Sequence, residues 1–237
     1  MTDEMLSVRS VRERLRTIER AALGLSAYST LVRDPNKLEK VFALRDHVAD
    51  EATLRAMLEH FRKDARGRDA LAARPRIGRV NLDTLATLPA DTLGGAFARN
   101  MRAYNLDPGA LPVRESRDEL SFLDAHLYET HDVWHTVTGF GVDVAGELGL
   151  QAFYAAQFPA KLSYAIMSAG LLNTMLVAMH DADRRMDAIA EGWAIGRRAK
   201  PFFGVRWADW WSRPLREVRE ELDVVPAGTS RAQVAVG

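Results

Sequence analysis

His131, Asp132, His135 and Glu147 are the residues whose types and spacing point most directly to chemistry. Imidazole and carboxylate bind divalent cations without help from thiolate. On a helix, His131 and His135 lie four apart and share one face. At about 100° per residue, Asp132 falls with them inside an arc of roughly 100°. Gly139-Phe140-Gly141 then ends that helix, because glycine favours a left-handed exit, and Asp143 is a good N-cap for the next. Glu147 lies four residues into the second helix and His135 four before Gly139. In a helical hairpin the two therefore sit at similar height above the turn. The expectation is one divalent ion held by His131, Asp132, His135 and Glu147. Zinc comes first, with iron, manganese, cobalt or magnesium as alternatives.

Two other motifs use similar residues. A His-Glu-x-x-His peptidase needs Glu as general base where Asp132 stands, and Asp is one methylene shorter. A His-Asp phosphohydrolase needs a further His and a downstream Asp. His60, His126, Asp143 and Asp181 are available, but no spacing fixes them. His126 and Glu129 are candidates for orienting the ligands through hydrogen bonds. His47, His60 and His180 stand alone and read as structural.

The elements that must position this site read as helices. Val8, Val11, Leu15, Ile18 and Ala22 recur at helical spacing. Asp34-Pro35 breaks the chain before a helix through Leu38, Val41, Phe42 and Leu44. Another runs from about Glu51 to Arg62, with Leu54, Met57, Leu58 and Phe61 inward. Residues 64–89, rich in Gly, Pro and Arg, read as a connector with short turns. Its functional alternative is an anion-binding rim of Arg66, Arg68, Arg74, Arg76 and Arg79. Helices resume near Asp91, pause over 106–112 and restart around Glu115. Between Gln151 and Met179 the only charge is Lys161. Pro159 and Lys161 interrupt that stretch, so it reads as a helix buried all round in a bundle and not as a membrane span. Its small Ala165, Ala169 and Gly170 leave room for a long apolar ligand. The fold class expected is all-α, a single helical-bundle domain over 1–224 with an apolar ligand cavity and a disordered tail over 225–237.

Composition narrows the function classes. Apolar residues make up 47% and Lys plus Arg balance Asp plus Glu at 32 each, so no general electrostatic case for nucleic acid exists. The absence of cysteine removes disulfides, thiolate metal sites and Cys nucleophiles. The N-terminus has no secretory pattern, and Glu13 and Glu19 do not suit a transit peptide. A cytoplasmic, bacterial setting is expected. Trp207, Trp210 and Trp211 fall at i, i+3 and i+4 after Phe202 and Phe203. They read first as a core stripe. The alternative is a membrane-interface anchor beside Arg197, Arg198, Lys200, Arg206 and Arg213.

His131-Asp132-x-x-His135 followed by Glu147 resembles the signature of the Coq4 family of ubiquinone biosynthesis proteins. The segments RPRIGRVNLDTLATLPADTLGGAFARNM before it and GWAIGRRAKPFFGVRWADWWSRPLREVREEL after it are similar to that family too, and the likeness spans most of 25–222. The family carries arginine just upstream of the His-Asp pair, where this chain has His126. The resemblance implies a helical fold with a metal site beside a long apolar cavity and His131, Asp132, His135 and Glu147 as ligands. It also implies a metal-dependent enzyme that removes the C1 carboxyl group of a prenylated 4-hydroxybenzoate-derived ring and installs a hydroxyl there. The alternative is a prenyl-lipid-binding scaffold organising other quinone-biosynthesis proteins around a structural metal. Expected partners are the polyprenylated ring, those proteins, the inner membrane as a peripheral surface and a second copy of the chain.

Overall fold

The computed structural model describes residues 23–35, 37, 40, 41, 43–45, 50–110 and 113–229. The helix expected over 8–22, the positions Leu38, Phe42 and His47, and the tail from 230 lie outside them. Among the described residues, 40, 41 and 43–45 are helical, and these helices are delimited, in order: α1 (23–33), α2 (Glu51–Phe61), α3 (Ala65–Ala73), α4 (Leu82–Ala86), α5 (Leu93–Ala103), α6 (Glu119–Thr138), α7 (Val144–Gln157), α8 (Lys161–Leu176), α9 (Ala182–Arg198) and α10 (Leu215–Glu221). No strand forms among the described residues, and the all-α expectation holds.

The helix N-termini are set by side chains. Asp50, Asp64, Asn81, Thr92, Asp118 and Asp143 each accept a backbone N–H of the first turn of α2 to α7. The connector reading of 64–89 is corrected here, because it holds α3 and α4. Gly67, Pro75 and Gly78 lower the helix signal in this stretch, but the Asp64 cap and the left-handed Arg74 (φ 49°) delimit a full α3. The restart near Glu115 begins at Glu119, where Asp118 and Ser121 form a reciprocal capping box.

α6 runs through the middle of the core. Phe122, Leu123, Trp134 and Val137 on it are fully buried. The Trp134 ring stacks on Tyr154 at 4.4 Å and meets Phe153 and Phe202 edge-on. Phe203 stacks on Phe61 at 3.8 Å, joining the chain after α9 to α2. Phe202, Phe203 and Trp207 are core residues, while Trp210 and Trp211 are half-buried, Trp211 against Phe97 and Trp210 beneath Arg213. The aromatic stripe thus faces inward and is not the anchor offered as its alternative.

α7 is clamped on α9. A Cβ on Gly192 would lie 1.9 Å from the Gly149 carbonyl oxygen, so the backbones meet where neither has a side chain. At the far end of α7, Gln157 donates to the carbonyls of Gly196 and Ala199 and accepts the Phe202 N–H. Phe158-Pro159-Ala160 then breaks the apolar stretch, so α7 and α8 are separate helices. The expectation that this stretch is buried all round holds for α7 and fails for α8, which buries only one face. That face carries Ala169 against Ala27, Leu31 and Leu44, a small cluster apart from the main core. After α10, Ala227 donates to the Thr138 carbonyl, and Gly228 to Glu191.

Candidate metal centre

α6 and α7 bring the site together as an antiparallel hairpin. Gly139 caps α6 with φ +82°, and its N–H bonds the His135 carbonyl at 2.9 Å. Only glycine takes this conformation without strain. Asp143 then opens α7 by accepting the Gly146 N–H at 3.1 Å. His135 is thereby placed in the last turn of α6 and Glu147 in the first turn of α7.

The Nε2 atoms of His131 and His135 are 3.2 Å apart. His135 Nε2 lies 3.2 Å from Glu147 Oε1, and His131 Nε2 lies 3.8 Å from Glu147 Oε2. The outer nitrogens are held from behind. His135 Nδ1 lies 3.1 Å from the Phe140 carbonyl, which only accepts, so Nδ1 carries the proton and the Nε2 of the neutral ring bears a lone pair. His131 Nδ1 lies 3.3 Å from the Tyr154 hydroxyl. His135 is buried, whereas His131 and Glu147 remain about a third exposed and give the cluster an open side.

This donor set fits a divalent cation. Two imidazole lone pairs and a carboxylate converge on one point, an arrangement that repels itself unless a cation or a shared proton lies between. Ligand atoms about 2.0–2.1 Å from a tetrahedral zinc lie about 3.3 Å from one another, close to the spacings found. With no thiolate present, zinc, iron, manganese and cobalt all suit the set.

Asp132 is not in the converging group of His131, His135 and Glu147. One residue along from His131, it is turned about 100° around α6, and it is half-buried. Its charge still raises the pKa of both imidazoles and of Tyr154. The structure therefore brings three of the four expected ligands together and leaves the fourth beside them.

Charge coupling follows the geometry. Burial opposes the His135 imidazolium, but the hydrogen bond and charge of Glu147 outweigh it and hold His135 above the ordinary imidazole range. Burial would raise Glu147, and the two imidazoles hold it lower. His131 is pushed down by burial and then by His135. Burial, followed by the charges of Asp132 and Glu147, pushes Tyr154 well above the usual phenol range, so it stays protonated at neutral pH.

The other candidates go elsewhere. His126 holds the Pro75 carbonyl and the Gly204 N–H, and Glu129 pairs with Arg76. Both tie the segment after α3 to α6 and neither joins His131, His135 and Glu147. His60 meets the Gln157 carbonyl, Asp143 pairs with Arg184, and Asp181 with Arg184 and Arg185. The phosphohydrolase set is thus dispersed. Arg66, Arg68 and Arg74 of the alternative anion rim donate to the carbonyls of Pro201, Arg62 and Arg117, and Arg76 pairs with Glu129, so four of its five arginines make contacts within the protein. One depression of about 260 Å³ is lined by Arg55, Leu58, Arg62 and Leu120, and another of about 60 Å³ by Pro75, His126, Trp207 and Asp209. Neither includes His131, His135 or Glu147, so neither is the apolar cavity expected beside the metal.

Tyr154 was not singled out from the sequence. It stands seven residues after Glu147, two turns along the same face of α7, and that spacing was its only signal.

Comparison with known proteins identifies relatives over most of the chain. Residues 11–228 match the family model described as coenzyme Q (ubiquinone) biosynthesis protein Coq4. A mitochondrial ubiquinone biosynthesis protein COQ4 homolog of Aedes aegypti is 27% identical over 221 residues, covering 89% of this chain and 77% of its own. The mitochondrial ubiquinone biosynthesis protein coq4 of Penicillium rubens is 30% identical over 224 residues, covering 89% and 74%. The crystal structure of a provisionally assigned ubiquinone biosynthesis protein from Nostoc punctiforme superposes with a TM-score of 0.73 at 29% identity, covering 85% of this chain and 97% of that one.

Proposed function

This chain belongs to the Coq4 family of ubiquinone biosynthesis proteins, and we propose that it removes the C1 carboxyl group of a prenylated 4-hydroxybenzoate-derived ring and leaves a hydroxyl in its place. The observation that carries this reading is the convergence of His131 Nε2, His135 Nε2 and Glu147 on one half-open point. A divalent ion bound there supplies a Lewis acid for the ring carboxylate or phenolate. The Phe140 carbonyl keeps His135 in the tautomer that leaves Nε2 free, and the Tyr154 hydroxyl fixes the His131 ring. Glu147 adds a negative charge to the set, and its open side admits an aromatic acid.

Exchange of carboxyl for hydroxyl oxidises the ring carbon by two electrons. With dioxygen as oxidant and water as co-reactant, a ring acid yields a phenol, carbon dioxide and hydrogen peroxide, and atoms and electrons balance. The electron-rich ring supplies the electrons, so no redox-active side chain is required. The prenyl tail resides in lipid, since each buried CH₂ is worth about 0.8 kcal/mol. The protein therefore works peripherally at a membrane. No single helix among the described residues is long and apolar enough to cross one.

The test mixes metal-loaded protein, a prenylated 4-hydroxybenzoate derivative and dioxygen, and follows carbon dioxide release. Turnover that stops on chelation and returns with metal is the expected result. Absence of turnover with zinc, iron, manganese or cobalt, in a folded protein that binds the substrate, overturns the reading.

A further inference from the structure

The last four carbonyls of an α-helix have no N–H of their own helix to meet. In α6 they belong to His135, Thr136, Val137 and Thr138. The Gly139 N–H takes the first at 2.9 Å, and the Ala227 N–H takes the last at 2.8 Å. A single side chain takes the middle two. Arg219, on α10, donates from Nη2 to the Thr136 carbonyl at 3.0 Å and from Nε to the Val137 carbonyl at 2.9 Å. Its place costs it solvation. The residue is half-buried, and burial pushes its pKa down. The arginines before it in sequence take carboxylates, Arg213 that of Glu221 and Arg216 that of Glu220. Arg219 makes no ion pair among the described residues and spends its donors on α6 instead. A guanidinium there sets a positive charge at the negative end of the helix dipole. Its planar fork matches two adjacent carbonyls in fixed geometry, whereas an ammonium is a flexible point donor.

We infer that Arg219 is a positioning residue of the metal centre: by holding the carbonyls of Thr136 and Val137 it fixes the last turn of α6 and so aims the His135 imidazole at His131 and Glu147. His135 lies in that turn, immediately before Thr136. Its Nε2 is 3.2 Å from both His131 Nε2 and Glu147 Oε1, and its Nδ1 is 3.1 Å from the Phe140 carbonyl beyond the Gly139 exit. Fraying of the last turn would move this ring away from Glu147, which stands on the other helix, while His131 lies a full turn further inside α6. Arg219 bonds to none of the three and acts only through the backbone. α10 is held in place by other contacts. Val218 and Leu222 are fully buried, and the Leu215 N–H bonds the Asp91 carbonyl at 2.8 Å. Removing the guanidinium therefore leaves α10 where it is. This role rests on the metal-centre reading and extends the centre to a residue 82 positions along the chain from Val137.

Arg219→Met keeps an unbranched stem and deletes both hydrogen bonds, and Arg219→Lys keeps the charge without the fork. Arg213→Met is the control, because it removes an ion pair and the contact with Trp210 without reaching α6. Cobalt is titrated into the metal-free proteins, and its visible ligand-field absorption reads both affinity and ligand geometry. The expected result for Arg219→Met is affinity about tenfold lower, the usual cost of losing a group that orients a ligand, with shifted and weakened bands. Arg219→Lys should show a smaller change of the same kind, and Arg213→Met the wild-type bands and affinity. In the metal-free proteins at alkaline pH, nitrogen NMR of the imidazoles should find His135 protonated on Nδ1 in wild type and on either nitrogen in Arg219→Met. Wild-type bands and affinity in Arg219→Met overturn the inference. If that variant does not fold, the same result in Arg219→Lys overturns it. An equal change in Arg213→Met also overturns it, since the effect is then lost stability alone. A wild type that binds no cobalt defeats the metal reading instead, and the imidazole shifts then decide on Arg219, an unchanged His135 tautomer overturning its role. Turnover is not measured, so failure here is distinct from failure of the catalytic reading.

Discussion

The Tyr154 hydroxyl on α7 lies 3.3 Å from Nδ1 of His131 on α6, so the second helix of the hairpin orients a candidate metal ligand of the first. Tyr154 is itself fixed by stacking on Trp134, the residue immediately before His135. Tyr154→Phe keeps this stacking and deletes one hydrogen bond. The expected outcome is a folded protein whose metal affinity falls by about 10-fold or more, the usual effect of losing such a partner. Competition with a chromophoric chelator measures it, and unchanged affinity would show that the Trp134 and Phe140 contacts suffice.

His131→Ala separates a catalytic ion from a structural one. The ion would join the last turn of α6 to the first turn of α7, a place where stapling is a real alternative. A catalytic ion predicts that the variant stays folded, binds prenylated ring and releases no carbon dioxide. A staple, as in a scaffolding protein, predicts that thermal stability and lipid binding fall together. Calorimetry and ligand binding on the same preparation decide between them.

The helical hairpin and the convergence of three of the expected ligands were legible because each rests on short-range rules. An i, i+4 histidine pair, a glycine exit and an Asp cap involve neighbours in sequence, and they fix His131, His135 and Glu147 without tertiary information. What failed depends on distant partners. His126 and Glu129 looked like supports for the ligands because they are near in sequence, yet they point to the far side of α6, toward Pro75, Gly204 and Arg76. Asp132 was placed in the ligand arc by angle alone, and its carboxylate is not among the groups that converge. Apolar content on α8 reads alike whether a face meets a core or solvent, so the exposure of Met175, Leu176, Val177 and Met179 had no signature in the pattern.

His126 should make the protein acid-sensitive. It is buried between Phe122 and Phe203, and burial lowers its pKa from 6.5 to about 4. A depressed histidine favours the folded state fully above its unfolded pKa. That contribution is lost as pH falls from about 6.5 toward 4, because the unfolded chain takes up the proton first. The loss by pH 5 is about 2 kcal/mol. Urea denaturation at pH 7 and pH 5 should show this difference in wild type and a much smaller one in His126→Gln, which keeps a polar group but does not titrate. Equal pH dependence in both would place the acid sensitivity elsewhere.

Gly192→Ala should loosen the metal centre without touching it. Gly192 lies over the backbone of Gly149, and an added Cβ would stand 1.9 Å from the Gly149 carbonyl oxygen. That oxygen belongs to a helix and cannot swing aside as a side chain does. α9 must therefore retreat from α7 or α7 must shift. Overpacking of this kind costs about 1–3 kcal/mol. α7 carries both Glu147 and Tyr154, so its displacement relative to α6 lengthens the spans to His135 and to His131 together. The expected outcome is a lower unfolding midpoint and weaker metal binding, with the helical spectrum retained. Chemical denaturation and chelator competition measure the two effects separately. Lost stability with wild-type metal affinity would show that α7 stays with α6 and that α9 alone gives way.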